Sequence, residues 1–366
     1  MSSQRPQPDL LYSEAEDDLR AAVRSLLTDR GDTASMLPRA EAGAPYDPEL
    51  WKALAGDIGA AGLLVPEKAG GQGASHREAA VVLEELGRSV TPAPYLTSSV
   101  IATETLLALD TETAEVTELL TALASGRSTA VLAVPFSASP HGPLPVGTSR
   151  ITGVADAAAA DVLLVLKSDG LYAVDPASVT VEPLTPLDLT RPLSAVTIGD
   201  TAGGTRLADA ATAEQAVRRG LLAGAGLLAS EQLGLAEWCL EETVRHTRER
   251  HQFNRPIGSF QALKHRMAQL WLEVVSARAA ARNAADALAA GDGPEAALAV
   301  AVAQAYTARV AVHAAEECVQ LHAGIGMTWE HPAHLYLKRA KSDEIALGTP
   351  GSHKEALAEL VDLQAP

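Results

Sequence analysis

Apolar positions divide the chain into three stretches. In EAEDDLRAAVRSLLTDR (14–30), Leu19, Ala22, Val23, Leu26 and Leu27 recur at helical spacing, and Ser13 stands where an N-cap would, ahead of acidic first-turn residues. Further helices are expected from about Pro48 to Ala61, Ser75 to Leu86, Leu96 to Ala108 and Glu112 to Ala124. Turn chemistry fills GLLVPEKAGGQG (62–73) and GRSVTPAPY (87–95). After Gly126 the runs shorten to β type: TAVLAV (129–134), DVLLVL (161–166), LYAV (171–174), VTVEPL (179–184) and SAVTI (194–198). Helix returns after Asp209, from about Ala211 to Arg250, Ser259 to Ala290 and Glu295 to His322. Long helices with Ala/Leu faces and short connections predict an antiparallel bundle. The expected fold is α+β, mainly α: an N-terminal helical domain (1–126), a small middle β-sheet domain (127–208) and a C-terminal four-helix bundle (209–366).

Composition sharpens this in two places. A formal net charge of −17 argues against nucleic-acid or anionic-membrane partners, which need a broad basic surface. Against that background, RERHQFNRPIGSFQALKHRMA (248–268) gathers Arg248, Arg250, Arg255, Lys264 and Arg266 with two histidines. Such a cluster suits a compact anion such as a pyrophosphate. Two cysteines, Cys239 and Cys318, are too few for a disulfide framework or a zinc cluster, and both fall in apolar helical pattern, where buried thiols are expected. No apolar run approaches membrane-spanning length without polar interruption, and MSSQRPQPDLLYSEAEDD lacks the pattern of a secretory leader, so a cytoplasmic location is the expectation.

With its motifs, this layout resembles the acyl-CoA dehydrogenase family. The resemblance lies in GLLVPEKAGGQG followed by VVLEELGRSV (81–90), and more strongly in the 248–268 stretch and VQLHAGIGMTWEHPAHLYLKRAK (319–341), followed by Gly348 and Thr349. It implies a flavoprotein oxidoreductase of lipid metabolism that binds FAD and dehydrogenates the α and β carbons of an acyl-CoA thioester. It also implies that Arg250, Phe253, Gln320 and Gly324 contact the pyrophosphate and adenosine of a neighbouring subunit's flavin, with Thr349 added to the cofactor set. Taken singly these residues say less. Arginine on a long helix is usually a solvated charge. GIG (324–326) is not a dinucleotide fingerprint, for no strand precedes it and the third glycine is missing. Trp238, Trp271 and Trp329 are expected to pack in the core or at an interface.

The family's catalytic glutamate occupies one of two positions, and both are lost here: Leu347 stands before the GT pair, and Gly224 stands in LLAGAGLLAS (221–230), followed by Ala225 where a substrate-facing arginine is usual. The middle domain also departs from the family, since AVPFSASPHGPLPVGTSRITGVADAAAADVLLVL (133–166) is proline-rich and has no tryptophan, so the family's flavin-ring contacts are not expected there. The resemblance then points to the base-less subunit of a heteromeric (α2β2) actinobacterial acyl-CoA dehydrogenase. Its partner would be a homologous chain carrying the glutamate, its substrate a bulky acyl-CoA such as a steroid side chain using room left by Gly224, Gly226 and Leu347, and its electron acceptor an electron-transfer flavoprotein. Two alternatives stay open: a homo-oligomeric enzyme with a relocated base, for which Glu344 is the local candidate on the same helical face as Leu347, and a non-catalytic scaffold. Asp343 and Glu344 otherwise read as surface charges in KRAKSDE.

Overall fold

The computed structural model describes residues 10–30, 38–39, 46–199, 203–291 and 293–363. Helix α1 (Glu14–Arg30) opens on a reciprocal cap: the Glu16 N–H meets Ser13 Oγ at 3.2 Å and the Ser13 N–H meets Glu16 Oε2 at 2.6 Å. It buries Val23 and Leu27. Helix α2 (Pro48–Lys52) is short, because the expected helix through Ala61 breaks into a π turn at Ala53–Asp57 and a 3-10 turn at Ala60–Gly62. Helix α3 (His76–Ser89) carries a full capping box between Ser75 and Glu78. A π-helical segment, Tyr95–Ala102, leads into α4 (Thr103–Leu107), replacing the single regular helix expected there, and α5 (Ala114–Ala124) follows.

Two sheets form the middle of the chain. The first has the order β1 (Ala130–Leu132), β3 (Val162–Lys167), β4 (Gly170–Val174), β7 (Thr205–Asp209), with β1 and β3 parallel and the other pairs antiparallel. The second, β2 (Arg150–Ala155), β6 (Leu193–Thr197), β5 (Thr180–Leu184), is antiparallel. Alternation along β3 explains its unbroken apolar run: Leu163 and Val165 pack in the core between the sheets, while Leu164 and Leu166 join the core of the helices.

Helix α6 (Ala210–Glu249) is the spine of the molecule. A two-strand hairpin, β8 (His251–Gln252) and β9 (Arg255–Pro256), links it to α7 (Gln261–Ala289), and α8 (Pro294–His322) completes the antiparallel set. Two further helices that the sequence pattern leaves undivided, α9 (Ala333–Ile345) and α10 (Pro350–Leu360), close the bundle. Helix α8 is long and apolar enough to cross a membrane, yet 61 % of its most apolar window is buried inside the molecule. Cys239 and Cys318 are both buried free thiols.

Small residues let α6 touch its neighbours backbone to backbone. A Cβ on Gly234 would lie 1.9 Å from the Glu84 carbonyl oxygen, and one on Gly87 would lie 2.1 Å from that of Glu231. Around this crossing, Arg20 pairs with the buried Glu84 and Glu85, and Arg24 meets Glu85 at 2.6 Å. In an open helix, Gly→Ala stabilises by about 1 kcal/mol. Here the sign reverses: Gly234→Ala is expected to destabilise the chain by about 1–3 kcal/mol, since the Glu84 and Arg88 backbone it would meet cannot yield freely. Denaturant unfolding of the single variant checks this.

Candidate functional site

The turn after α9 brings the two family base positions together. Leu347 and Gly348 both have positive φ (52° and 104°), which turns Leu347 back toward α6. A Cβ on Gly224 would lie 2.6 Å from Ile101 Cγ1 and 3.2 Å from Leu347 Cδ1. Both positions therefore face one spot, and Ile101 of the π-helical segment already fills it. The space is not the open room expected from the sequence. A Cβ on Gly226 would likewise lie 2.5 Å from Leu288 Cδ1 and 2.8 Å from Val300 Cγ2, so these glycines permit close packing. The π segment bulges onto α6 at Gly220, where an added Cβ would stand 2.6 Å from the Ile101 carbonyl oxygen.

What remains is a cavity of about 20 Å³ lined by Thr97, Ile101, Phe136, Leu221, Leu347 and neighbouring apolar residues. That is room for about one water. No lining side chain is an acid or a base, and the Thr97 hydroxyl is occupied, donating to Asp156 Oδ2 at 2.7 Å. The Leu347 N–H donates to the Phe136 carbonyl at 2.8 Å, so the loop of the sheet domain and the turn of the bundle are bonded directly to each other. The Leu347 carbonyl is held in turn by His353 Nε2 at 3.0 Å.

Behind the cavity lies a buried ionic cluster that the sequence reading missed. Arg339 pairs with Asp188 and, at 2.6 Å, with Glu231, while Arg191 pairs with Glu231 and places its guanidinium 4.9 Å from the Phe136 ring centroid. Burial opposes ionisation of Glu231, but Arg191 and Arg339 together hold its pKa below the ordinary value. Asp343, expected as a surface charge, is 1 % exposed, and burial followed by repulsion from Glu231 pushes its pKa well up. Glu231 alone carried a signal, a charge inside the apolar run LLASEQLGL. Glu344 does not fit the role of a relocated base. Helix α9 ends at Ile345, so Leu347 lies past the helix and shares no face with Glu344, which is half-buried and sits 3.8 Å from Lys341 Nζ.

The other candidate residues gather at the far end of the bundle. Arg250 caps α6 and is exposed, with no ion-pair partner among the described residues. Phe253 and Asn254 both have positive φ (52° and 62°), the pair of conformations that closes a two-residue hairpin. A phenylalanine rarely adopts this backbone, and Phe253 is 86 % exposed, so strain is spent on presenting a ring to the outside. Gln320 is exposed near the end of α8, and a Cβ on Gly324 would meet nothing within 4 Å. Packing within this chain therefore does not require glycine there. About 39 Å of α6 separates Gly224 from Arg250, at 1.5 Å rise per residue. Thr349 belongs to the near end, where its Oγ1 accepts the Ser352 N–H at 3.2 Å and caps α10.

Comparison with known proteins resolves the resemblance. The family models described as Acyl-CoA dehydrogenase, N-terminal domain, and Acyl-CoA dehydrogenase, C-terminal domain, match residues 13–127 and 213–361. Acyl-CoA dehydrogenase IpdE2 of Mycolicibacterium smegmatis is 37 % identical over 347 residues, covering 92 % of this chain and 96 % of that protein. The chain belongs to the acyl-CoA dehydrogenase family. Among solved family structures, the ChsE4–ChsE5 complex of Mycobacterium tuberculosis superimposes with a TM-score of 0.84 at 25 % identity, covering 98 % of this chain and 100 % of the matched chain. A variant of the Tcur3481–Tcur3483 steroid ACAD gives 0.82 at 26 % identity, covering 95 % and 98 %.

His353 supplies a test of the closed turn. It is fully buried, and burial pushes its pKa from 6.5 down to about 4. Between those values the unfolded chain binds a proton that the folded chain does not. The neutral imidazole's contribution is therefore complete above pH 6.5 and lost as pH falls toward 4, by up to about 3 kcal/mol at about 1.4 kcal/mol per pKa unit. His353→Gln keeps an N–H for the Leu347 carbonyl and is expected to flatten this slope in unfolding measured across pH 4–7.

Proposed function

We propose that this chain is the base-less subunit of a heteromeric acyl-CoA dehydrogenase, active with a homologous chain that carries the catalytic glutamate. One observation carries the reading: the local base positions are sealed against Ile101 and Phe136 with no titratable group, while a cationic hairpin and an open glycine turn stand exposed at the opposite end of α6. The near end does not fit a flavin ring and acyl chain, and no chemistry is assigned to it. The far end fits the phosphate and adenosine half of FAD, the family's cofactor. When bound, FAD supplies two-electron oxidising power for α,β-dehydrogenation of the thioester.

In this assignment Arg250 offers a guanidinium to a pyrophosphate, matching its geometry bidentately. Phe253 covers the dinucleotide from the hairpin tip, and Gln320 and the Gly324 backbone approach the adenosine. The partner's pocket, not this one, sets acyl specificity. The similarity to the Tcur3481–Tcur3483 steroid ACAD supports a bulky substrate of the steroid side-chain type, and the similarity to the ChsE4–ChsE5 complex supports a two-chain assembly of the α2β2 kind. An electron-transfer flavoprotein is the proposed acceptor, and the cytoplasm the proposed location.

Co-expression with a homologous chain tests the reading. The complex is expected to oxidise acyl-CoA with an artificial electron acceptor, and this chain alone to show no turnover. Measurable single-chain turnover refutes the assignment. Within the complex, Arg250→Ala is expected to lower FAD affinity at least tenfold, consistent with losing a charge-assisted bond of about 1.5–3 kcal/mol. Glu344→Gln is expected to leave turnover within about twofold, and a drop of several orders of magnitude there would instead identify it as a relocated base.

A further inference from the structure

Beneath the turn that carries Gly324, three side chains from separate elements converge. Glu242 comes from α6, His322 ends α8, and His331 lies in the loop before α9. One potential ligand atom from each lies within 4.8 Å of the other two. His322 Nε2 stands 3.6 Å and His331 Nε2 3.4 Å from Glu242 Oε1. Tetrahedral coordination with bonds of about 2.0–2.1 Å sets ligand atoms about 3.3 Å apart, so these spacings need little adjustment.

His322 supplies the decisive detail. It is 3 % exposed, and its Nδ1 lies 2.7 Å from the Cys318 carbonyl, an acceptor only, so Nδ1 carries the hydrogen. Nε2 is then a bare lone pair in the neutral ring, and it has no hydrogen-bond partner among the described residues. A buried lone pair facing a carboxylate oxygen is unfavourable unless either a proton on Nε2 or a metal cation lies between them. Orientation of a ligating imidazole through a backbone carbonyl is also the usual support for a metal-bound histidine. We propose that Glu242, His322 and His331 form a binding site for one divalent transition-metal cation of the Zn²⁺ class.

Neighbouring groups allow the site and limit it. Arg245, 56 % exposed at its side chain, donates to Glu242 at 2.5 and 2.9 Å. Each carboxylate oxygen has two lone-pair sites, so Oε1 can still serve the histidine side. The Ala333 N–H meets His331 Nδ1 at 3.2 Å, so ligation through Nε2 shifts the His331 proton to Nδ1 and costs that contact. The His246 ring is centred 4.2 Å from that of His322. Because His322 and His331 bracket the turn, the cation ties both of its ends to α6. The turn exposes Ile325, Met327 and Trp329 to 46 %, 77 % and 66 %, while Trp329 also meets His334 and Lys338.

Full-length chain stripped with chelator and titrated with Co²⁺ alone tests the site. One ion per chain is expected, with the strong visible d–d absorption of tetrahedral coordination, displaced by Zn²⁺. Glu242→Gln and His331→Ala, both at half-buried positions and checked for native circular dichroism, should each weaken binding at least 100-fold. His265→Ala, on the exposed face of α7, should leave it unchanged. Absence of stoichiometric binding overturns the proposal, as does binding insensitive to the first two substitutions or equally weakened by the third. Metal content is read without flavin or substrate, so this result is independent of the proposed function.

Discussion

The bond from the Leu347 N–H to the Phe136 carbonyl joins the bundle to the sheet domain at the point where the two base positions of the family meet. Everything around it favours a dry, shut junction. Ile101 stands in the place a side chain on Gly224 would need, His353 holds the far side of the turn, and Arg191 lies over the Phe136 ring. A carboxylate introduced there would be buried among apolar side chains, where ionisation is costly. The apolar lining and the small volume of this spot are thus two aspects of one packing arrangement.

Helix α6 runs from that closed region to an exposed one. Its glycines seat it against α3 and the π-helical segment, and Glu231 anchors it to Arg191 and Arg339 in the same region. Its other end carries Arg250 and the strained Phe253 hairpin, about 40 Å away. A rigid element of that length cannot bring both ends to one ligand. In the proposed assembly, the exposed end is the one that would meet a neighbour's dinucleotide.

Much of the architecture was legible in the sequence because period and length are strong signals. The long helices of the bundle and the β-type runs lie close to where their apolar spacing put them. The π segment at Tyr95–Ala102 was not, since apolar spacing does not report its contacts, the Thr103 hydroxyl bonded to the Ser98 carbonyl and the Ile101 carbonyl set close against α6 at Gly220. Asp343 was misjudged because a charged residue in KRAKSDE gives no sign that Arg191 and Glu231, from distant segments, join the neighbouring Arg339 around it. The glycines at 224 and 226 suggested space, whereas glycine is equally the mark of two elements pressed together. The resemblance named Leu347 and Gly224 as two separate base positions, and the structure places them against each other.

The central claim is that this chain completes a flavin site without owning one. Flavin stoichiometry in the complex with a homologous partner measures that directly, by absorbance of released FAD against the amount of each chain. The account predicts one FAD for each pair of unlike chains and none in this chain purified alone. Two FAD per pair, or flavin retained by this chain on its own, would contradict it.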